Sequence, residues 1–151
     1  MSEKKMKAAA VQAVSLGGTG LVFEMLEEAD KTPDDWDAVK SVTRYMKDYT
    51  HVWVAPKNSS VLSIEPANTL VRHAVFEFDS KTLFAFFTNV SSEHQQITVT
   101  VKDLLQKPFC SGLMGVDTVL HLKKEDSFTL DIEPDSITIY QFSVPGEIGE
   151  N

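Results

Sequence analysis

The chain has 151 residues, of which 42% are hydrophobic and 24% charged; that is enough for one ordinary domain, or for a small helical piece joined to a β-domain, and it excludes wholesale disorder and fibrous repeats. Its formal net charge of −8 repels phosphate backbones and anionic headgroups, which argues against nucleic-acid and membrane-surface partners. Cys110 is the only cysteine, so an internal disulfide and a thiolate-rich zinc site are both excluded.

No apolar run approaches the roughly 20 residues that a spanning helix needs, and Met1 to Val14 offers neither a signal-peptide core nor a cleavage site. The compartment is left open. From about Lys4 to Tyr49 the composition reads as helical, rich in Ala, Leu, Met, Glu and Lys. Gly17-Gly18-Thr19-Gly20 interrupts it as a turn. Thr32-Pro33-Asp34-Asp35 reads as a helix start, with Thr32 as cap, Pro33 in the first position and acids facing the positive end of the dipole. Trp36, Val39, Thr43 and Met46 recur at spacings of three and four, which gives this helix one packing face as far as Tyr49.

From His51 the pattern becomes one of short β-rich runs: 51-HVWVAP, 61-VLSIEP, 70-LVRHAVFEFD, 82-TLFAFFTNV, 97-ITVTV, 117-DTVLHL, 127-SFTLDI and 136-SITIYQF. Ile97, Val99 and Val101 alternate with Thr98 and Thr100, as Phe128, Leu130 and Ile132 alternate with polar residues, so each run has one buried face. Asp79-Ser80-Lys81 and Ser91-Ser92-Glu93-His94 read as hairpin connections. The expected fold is mainly β, an antiparallel β-sandwich of Greek-key type preceded by an N-terminal helical segment. The expected division is a helical segment over 1–50, the sandwich over 51–146 and a frayed tail over 147–151.

Chemistry-bearing motifs are few. The glycine turn lacks the Gly-Lys-Ser/Thr of a phosphate loop and the third glycine of a dinucleotide fingerprint. The acids Glu24, Glu27, Glu28, Asp30, Asp34, Asp35 and Asp37 lack EF-hand spacing and read as a solvated helix face plus cap. His51, His73, His94 and His121 lie in separate segments, without the spacing of a helical zinc site. No catalytic, metal or cofactor residue is assigned on these grounds, and Cys110 reads as a buried thiol. Among Trp36, Tyr49, Trp53 and Phe84, Phe86 and Phe87, which read mainly as core, Trp53 is the one candidate for ligand contact, with a carbohydrate ring as the candidate ligand. The sequons Asn58-Ser59-Ser60 and Asn89-Val90-Ser91 matter only in a glycosylating compartment.

From Leu70 the order LVRHAVFEF, DSK, TLFAFFTNVSS, QQITVTVKDLL and FTLDIEPDSITIYQF resembles the C-terminal β-domain of α-amylase-type and related glycoside hydrolases. Upstream, AVSLGGTGLVFEM resembles a late barrel segment of those enzymes and DWDAVKSVTRYMKDY their last barrel helix. The resemblance implies a non-catalytic accessory region whose partner is a catalytic barrel domain, or which self-associates through the helical segment. It carries over no catalytic residue, because the family's catalytic carboxylates lie on strands that would precede residue 1. The other reading is a stand-alone β-sandwich protein-interaction module.

Overall fold

The computed structural model describes residues 2–21, 33–79, 81–102, 109–113, 119–122 and 125–143. Helix α1 spans Glu3–Ser15 and α2 spans Pro33–Asp48; a single turn, α3, follows at Thr50–Trp53. Ser2 caps α1 by accepting from the Lys5 N–H, which satisfies one of the first-turn donors. After a 3-10 turn at Ser59–Val61, the strands are β1 (Leu62–Glu65), β2 (Val71–Asp79), β3 (Thr82–Asn89), β4 (Gln95–Val101), β5 (Phe109–Leu113), β6 (Val119–Leu122), β7 (Ser127–Ile132) and β8 (Ser136–Ser143).

All strand pairs are antiparallel and fall into two sheets. One has three strands in the order β1-β4-β7, the other five in the order β2-β3-β8-β5-β6. The inward faces of β4 and β7, with Ile97, Val99, Val101, Leu130 and Ile132 buried, close against Val71, Val75, Phe87, Tyr140 and Phe142 of the larger sheet. The alternation read in the sequence thus positions the core between the two sheets.

The larger sheet is covered on its other face as well. Ala74, Phe76, Phe84, Phe86 and Ile139 pack with Val11 of α1 and Val52 of α3, and Tyr45, Met46, Tyr49 and Trp53 close the cluster. Strand β3 is therefore apolar on both faces: Ala85 and Phe87 look toward the small sheet, and Phe84 and Phe86 toward the helices. The molecule is layered as helices, large sheet and small sheet.

Three local expectations change. His51 to Trp53 is helical instead of extended, because Val52 and Trp53 must both reach the helix-facing side of β2 and β3, which one helical turn allows and a strand, alternating sides, does not. Ser91 to His94 does not close a hairpin: β3 pairs with β2 and β8, whereas β4 lies in the other sheet. A strand, β5, occupies Phe109–Leu113, which lies outside the eight β-rich runs of the sequence; pairing with β6 and β8 outweighs its low strand propensity. Residues 22–32 of the helical segment, the Thr32 cap among them, and the tail over 147–151 lie outside the described residues.

Tyr45, Tyr49 and Tyr140 are all the tyrosines in the chain, and burial pushes each phenol above its ordinary value. A phenol whose pKa is raised by folding stabilises the fold below its unfolded value, about 10, and that contribution is lost as pH rises through the folded value. In an alkaline titration followed at the tyrosinate absorbance, no tyrosine is expected to ionise with the ordinary midpoint while the chain is folded; the signal should rise together with loss of far-UV circular dichroism. Smooth ionisation at the ordinary midpoint with the dichroism intact would contradict this burial.

Candidate functional site

The C-terminus of α1 and the glycine turn build one wall of a groove. The Leu16 N–H donates to the Gln12 carbonyl at 3.0 Å, the Gly17 N–H to Val14 at 3.0 Å and the Gly18 N–H to Ala13 at 2.9 Å, satisfying the helix's last carbonyls. Gly17 sits at φ +106° and a Cβ on Gly18 would lie 2.8 Å from the Ala13 carbonyl oxygen, so this turn needs both glycines. Gly20 differs: a Cβ there meets nothing within 4 Å. The ammonium of Lys57 donates to the Ser15 carbonyl at 2.9 Å, placing a cation at the negative end of α1.

Opposite this turn stand α2 and α3. Val14, Gly18, Thr19, Gly20 and Leu21 line the groove from one side, and Thr43, Met46, Thr50, Trp53 and Val54 from the other, around about 470 Å³. None of these side chains is charged. The Thr43 hydroxyl donates to the Val39 carbonyl and the Thr50 hydroxyl to Lys47, both at 2.8 Å, so toward the groove they offer acceptor lone pairs only. The lining suits apolar recognition, and among the described residues it supplies no acid, base or nucleophile.

Trp53 forms part of the wall. Its indole N–H donates to the Met46 carbonyl at 2.9 Å, and its ring packs 4.6 Å from Phe86 and 5.5 Å from Phe76, centroid to centroid. The ring is thereby fixed in orientation and its one polar atom is committed. Sequence reading singled out Trp53 but not the groove, which exists only because residues 14–21 meet residues 43–54.

The remaining candidates stay apart. His51 lies edge-on to Phe78 at 5.4 Å, His73 faces the Ser59 and Leu62 carbonyls at 3.1 and 3.2 Å, and His94 lies 3.9 Å from Asp131 on the small sheet. Cys110 is on β5 in register with His121 on β6. Asp37 pairs with Lys40 at 2.9 Å on the exposed side of α2, and Asp34 is exposed; Glu24 through Asp30 lie outside the described residues. Among the described residues no three His, Cys, Asp or Glu side chains converge on a metal-sized space, and no helix is long and apolar enough to cross a membrane. The amide nitrogens of both sequons are engaged, Asn58 with Glu77 at 2.7 Å and Asn89 with three backbone carbonyls.

No protein-family model and no curated protein matches this chain. Solved structures do. An α-amylase from Geobacillus thermoleovorans superposes with a TM-score of 0.55 at 11% identity, covering 95% of this chain and 34% of the amylase. A noncanonic maltogenic α-amylase, AmyB from Thermotoga neapolitana, gives the same TM-score at 9% identity, covering 95% of this chain and 38% of its own. At these identities the likeness is one of fold: helices and sheets together have the fold of a part, little more than a third, of an α-amylase chain.

Proposed function

We propose that this chain is a non-catalytic accessory region of a carbohydrate-active enzyme of the glycoside hydrolase type, which stabilises or completes a catalytic domain. The observation that carries the reading is the coverage: a superposition that takes in 95% of this chain accounts for only 34% and 38% of two α-amylase chains. A fold that recurs as a fraction of a larger enzyme fits a part that works beside a catalytic unit. The groove supports it, since its lining of aliphatic and threonine side chains, Trp53 and glycine backbone fits contact with apolar groups and, among the described residues, offers no reacting group. Trp53 is proposed as a contact residue through its ring.

The test has two arms. The purified chain is assayed on starch and on chromogenic α-glucosides and α-maltosides, and no release above the uncatalysed rate is expected. A glycoside hydrolase barrel from the same source organism, expressed without its C-terminal region, is then titrated with the chain; a gain in the barrel's thermal midpoint or activity that saturates at one equivalent is expected. Turnover by the chain alone, or a barrel indifferent to it, would overturn the proposal, the second result leaving a stand-alone interaction module as the better account.

A further inference from the structure

We infer that the two sequons have opposite fates in a glycosylating compartment: Asn58 is a modification site at which the folded chain bears an N-linked glycan, whereas a glycan on Asn89 and the native fold exclude one another. This goes beyond the accessory reading and does not depend on it.

The chemistry of attachment sets the criterion. An oligosaccharyltransferase joins the carboxamide nitrogen of an Asn-x-Ser/Thr asparagine to the anomeric carbon of a sugar carried on a lipid diphosphate. The nitrogen–carbon bond forms as the carbon–oxygen bond to the diphosphate breaks; the lipid diphosphate leaves with the bonding pair, and the nitrogen gives up one proton. An asparagine side chain has two amide hydrogens, so a glycosylated one keeps a single donor and needs room beside it for a bulky, hydrated group.

Asn58 meets both conditions. Among the described residues its amide nitrogen donates once, to Glu77 Oε1 at 2.7 Å, which leaves one hydrogen for replacement. The side chain is half-buried between exposed neighbours, Lys57 and Ser60. Its oxygen accepts from the Ser60 hydroxyl at 3.0 Å, and its backbone N–H donates to the Val75 carbonyl at 2.8 Å; neither bond uses the nitrogen that takes the sugar. The tie between the 3-10 turn and the edge of β2 therefore survives the modification.

Asn89 meets neither. It is 0% exposed, and both of its amide hydrogens are shared among the carbonyls of Glu93, Ile132 and Glu133 at 2.8, 3.2 and 3.1 Å. A sugar there removes one donor, forces apart the two turns that the side chain joins, and leaves buried carbonyls unpaired. The local pattern does not separate the two sites, since Ser91 donates to the Asn89 oxygen as Ser60 does to that of Asn58. Tertiary surroundings separate them.

The test is cell-free translation of the full chain behind a cleavable secretory signal, with microsomes that supply the transferase and its lipid-linked donor. After detergent release, glycoforms are resolved by gel mobility with and without endoglycosidase, mapped by mass spectrometry and probed by limited proteolysis. The unmodified fraction of each chain is its own reference for folding. Ser91→Ala and Ser60→Ala each remove one sequon while keeping both asparagines; where a variant's unmodified fraction is itself unfolded, the mapped glycoforms of the parent chain decide. The form glycosylated at Asn58 alone is expected to be cut within about twofold of the unmodified rate, and any form glycosylated at Asn89 at least about tenfold faster. Asn89 left bare in every protease-resistant form is the same result seen from the folded side. A protease-resistant chain with a glycan on Asn89 overturns the inference. So does a chain glycosylated at Asn58 alone that is cut tenfold faster than its unmodified reference, or the lack of any glycan on Asn58 in both the parent and Ser91→Ala.

Discussion

Phe86→Ala is expected to destabilise the chain by about 3–5 kcal/mol, the range for truncating a fully buried phenylalanine. Phe86 is 0% exposed, and it is the side chain on which the helix layer converges: Trp53 at 4.6 Å, Tyr49 at 5.7 Å and Phe76 at 5.8 Å all contact its ring. Those neighbours are held by other bonds and cannot collapse into the space. Trp53 is tied to the Met46 carbonyl, and Phe76 is fixed by the pairing of β2 with β3. The cavity therefore persists, which is the condition for the upper half of the range. For a domain of this size the loss corresponds to a fall in Tm of roughly 10–15 °C. Urea denaturation and calorimetry measure it, and near-UV dichroism reports whether the Tyr49 and Trp53 environments have loosened. A loss below about 1 kcal/mol would mean that the helices do not pack on the sheet as described.

Asn89→Ala should cost about 2–4 kcal/mol by removing a buried polar bridge and leaving its partners unsatisfied. Asn89 is 0% exposed at the end of β3. Its amide nitrogen donates to the carbonyls of Glu93 at 2.8 Å, Ile132 at 3.2 Å and Glu133 at 3.1 Å, sharing two hydrogens among three acceptors. Its side-chain oxygen accepts from the Ser91 N–H at 3.1 Å and from the Ser91 hydroxyl at 2.6 Å. One side chain thus locks the turn between β3 and β4 to the turn between β7 and β8, at the end of the molecule where the two sheets exchange chain. Asn89→Asp removes the donors and sets a carboxylate against three carbonyl oxygens, so at neutral pH it should be no more stable than Asn89→Ala although it is nearly isosteric. Equilibrium unfolding of both variants beside the parent checks the order; an Asp variant as stable as the parent would refute the bonding pattern.

Parts of this architecture are legible in the residues because they are locally encoded. The Ile97-Val99-Val101 and Phe128-Leu130-Ile132 alternations each state a buried face, and those faces meet. The start of α2 near Pro33 is written in turn and dipole chemistry. What fails is decided by distant partners. Thr50-His51-Val52-Trp53 is β-branched and aromatic, hence strand-like by propensity, yet it turns as helix because Val52 and Trp53 share one apolar destination on β2 and β3. The run Leu83-Phe84-Ala85-Phe86-Phe87 carries a signal that propensity alone does not resolve: an unbroken apolar stretch in a strand means both faces are covered, and so implies a third layer. Trp53 was visible as a candidate. Its groove was not, since it arises from juxtaposing segments some 30 residues apart, and no local pattern records that.

The central strand has a consequence for how the chain is made. β3 meets β2 through a short local connection, but its other edge pairs with β8, where Thr82 faces Ser143 and Asn89 faces Ser136. During synthesis the β2–β3 ribbon emerges well before that partner exists, with the aromatic residues on its helix-facing side shielded by α1 and α3, which precede it in the sequence. Its opposite edge stays open until the last described strand arrives. Completion of the large sheet is therefore a late, non-local event, and the helical layer that comes first acts as a cover for the stickiest strand during the wait.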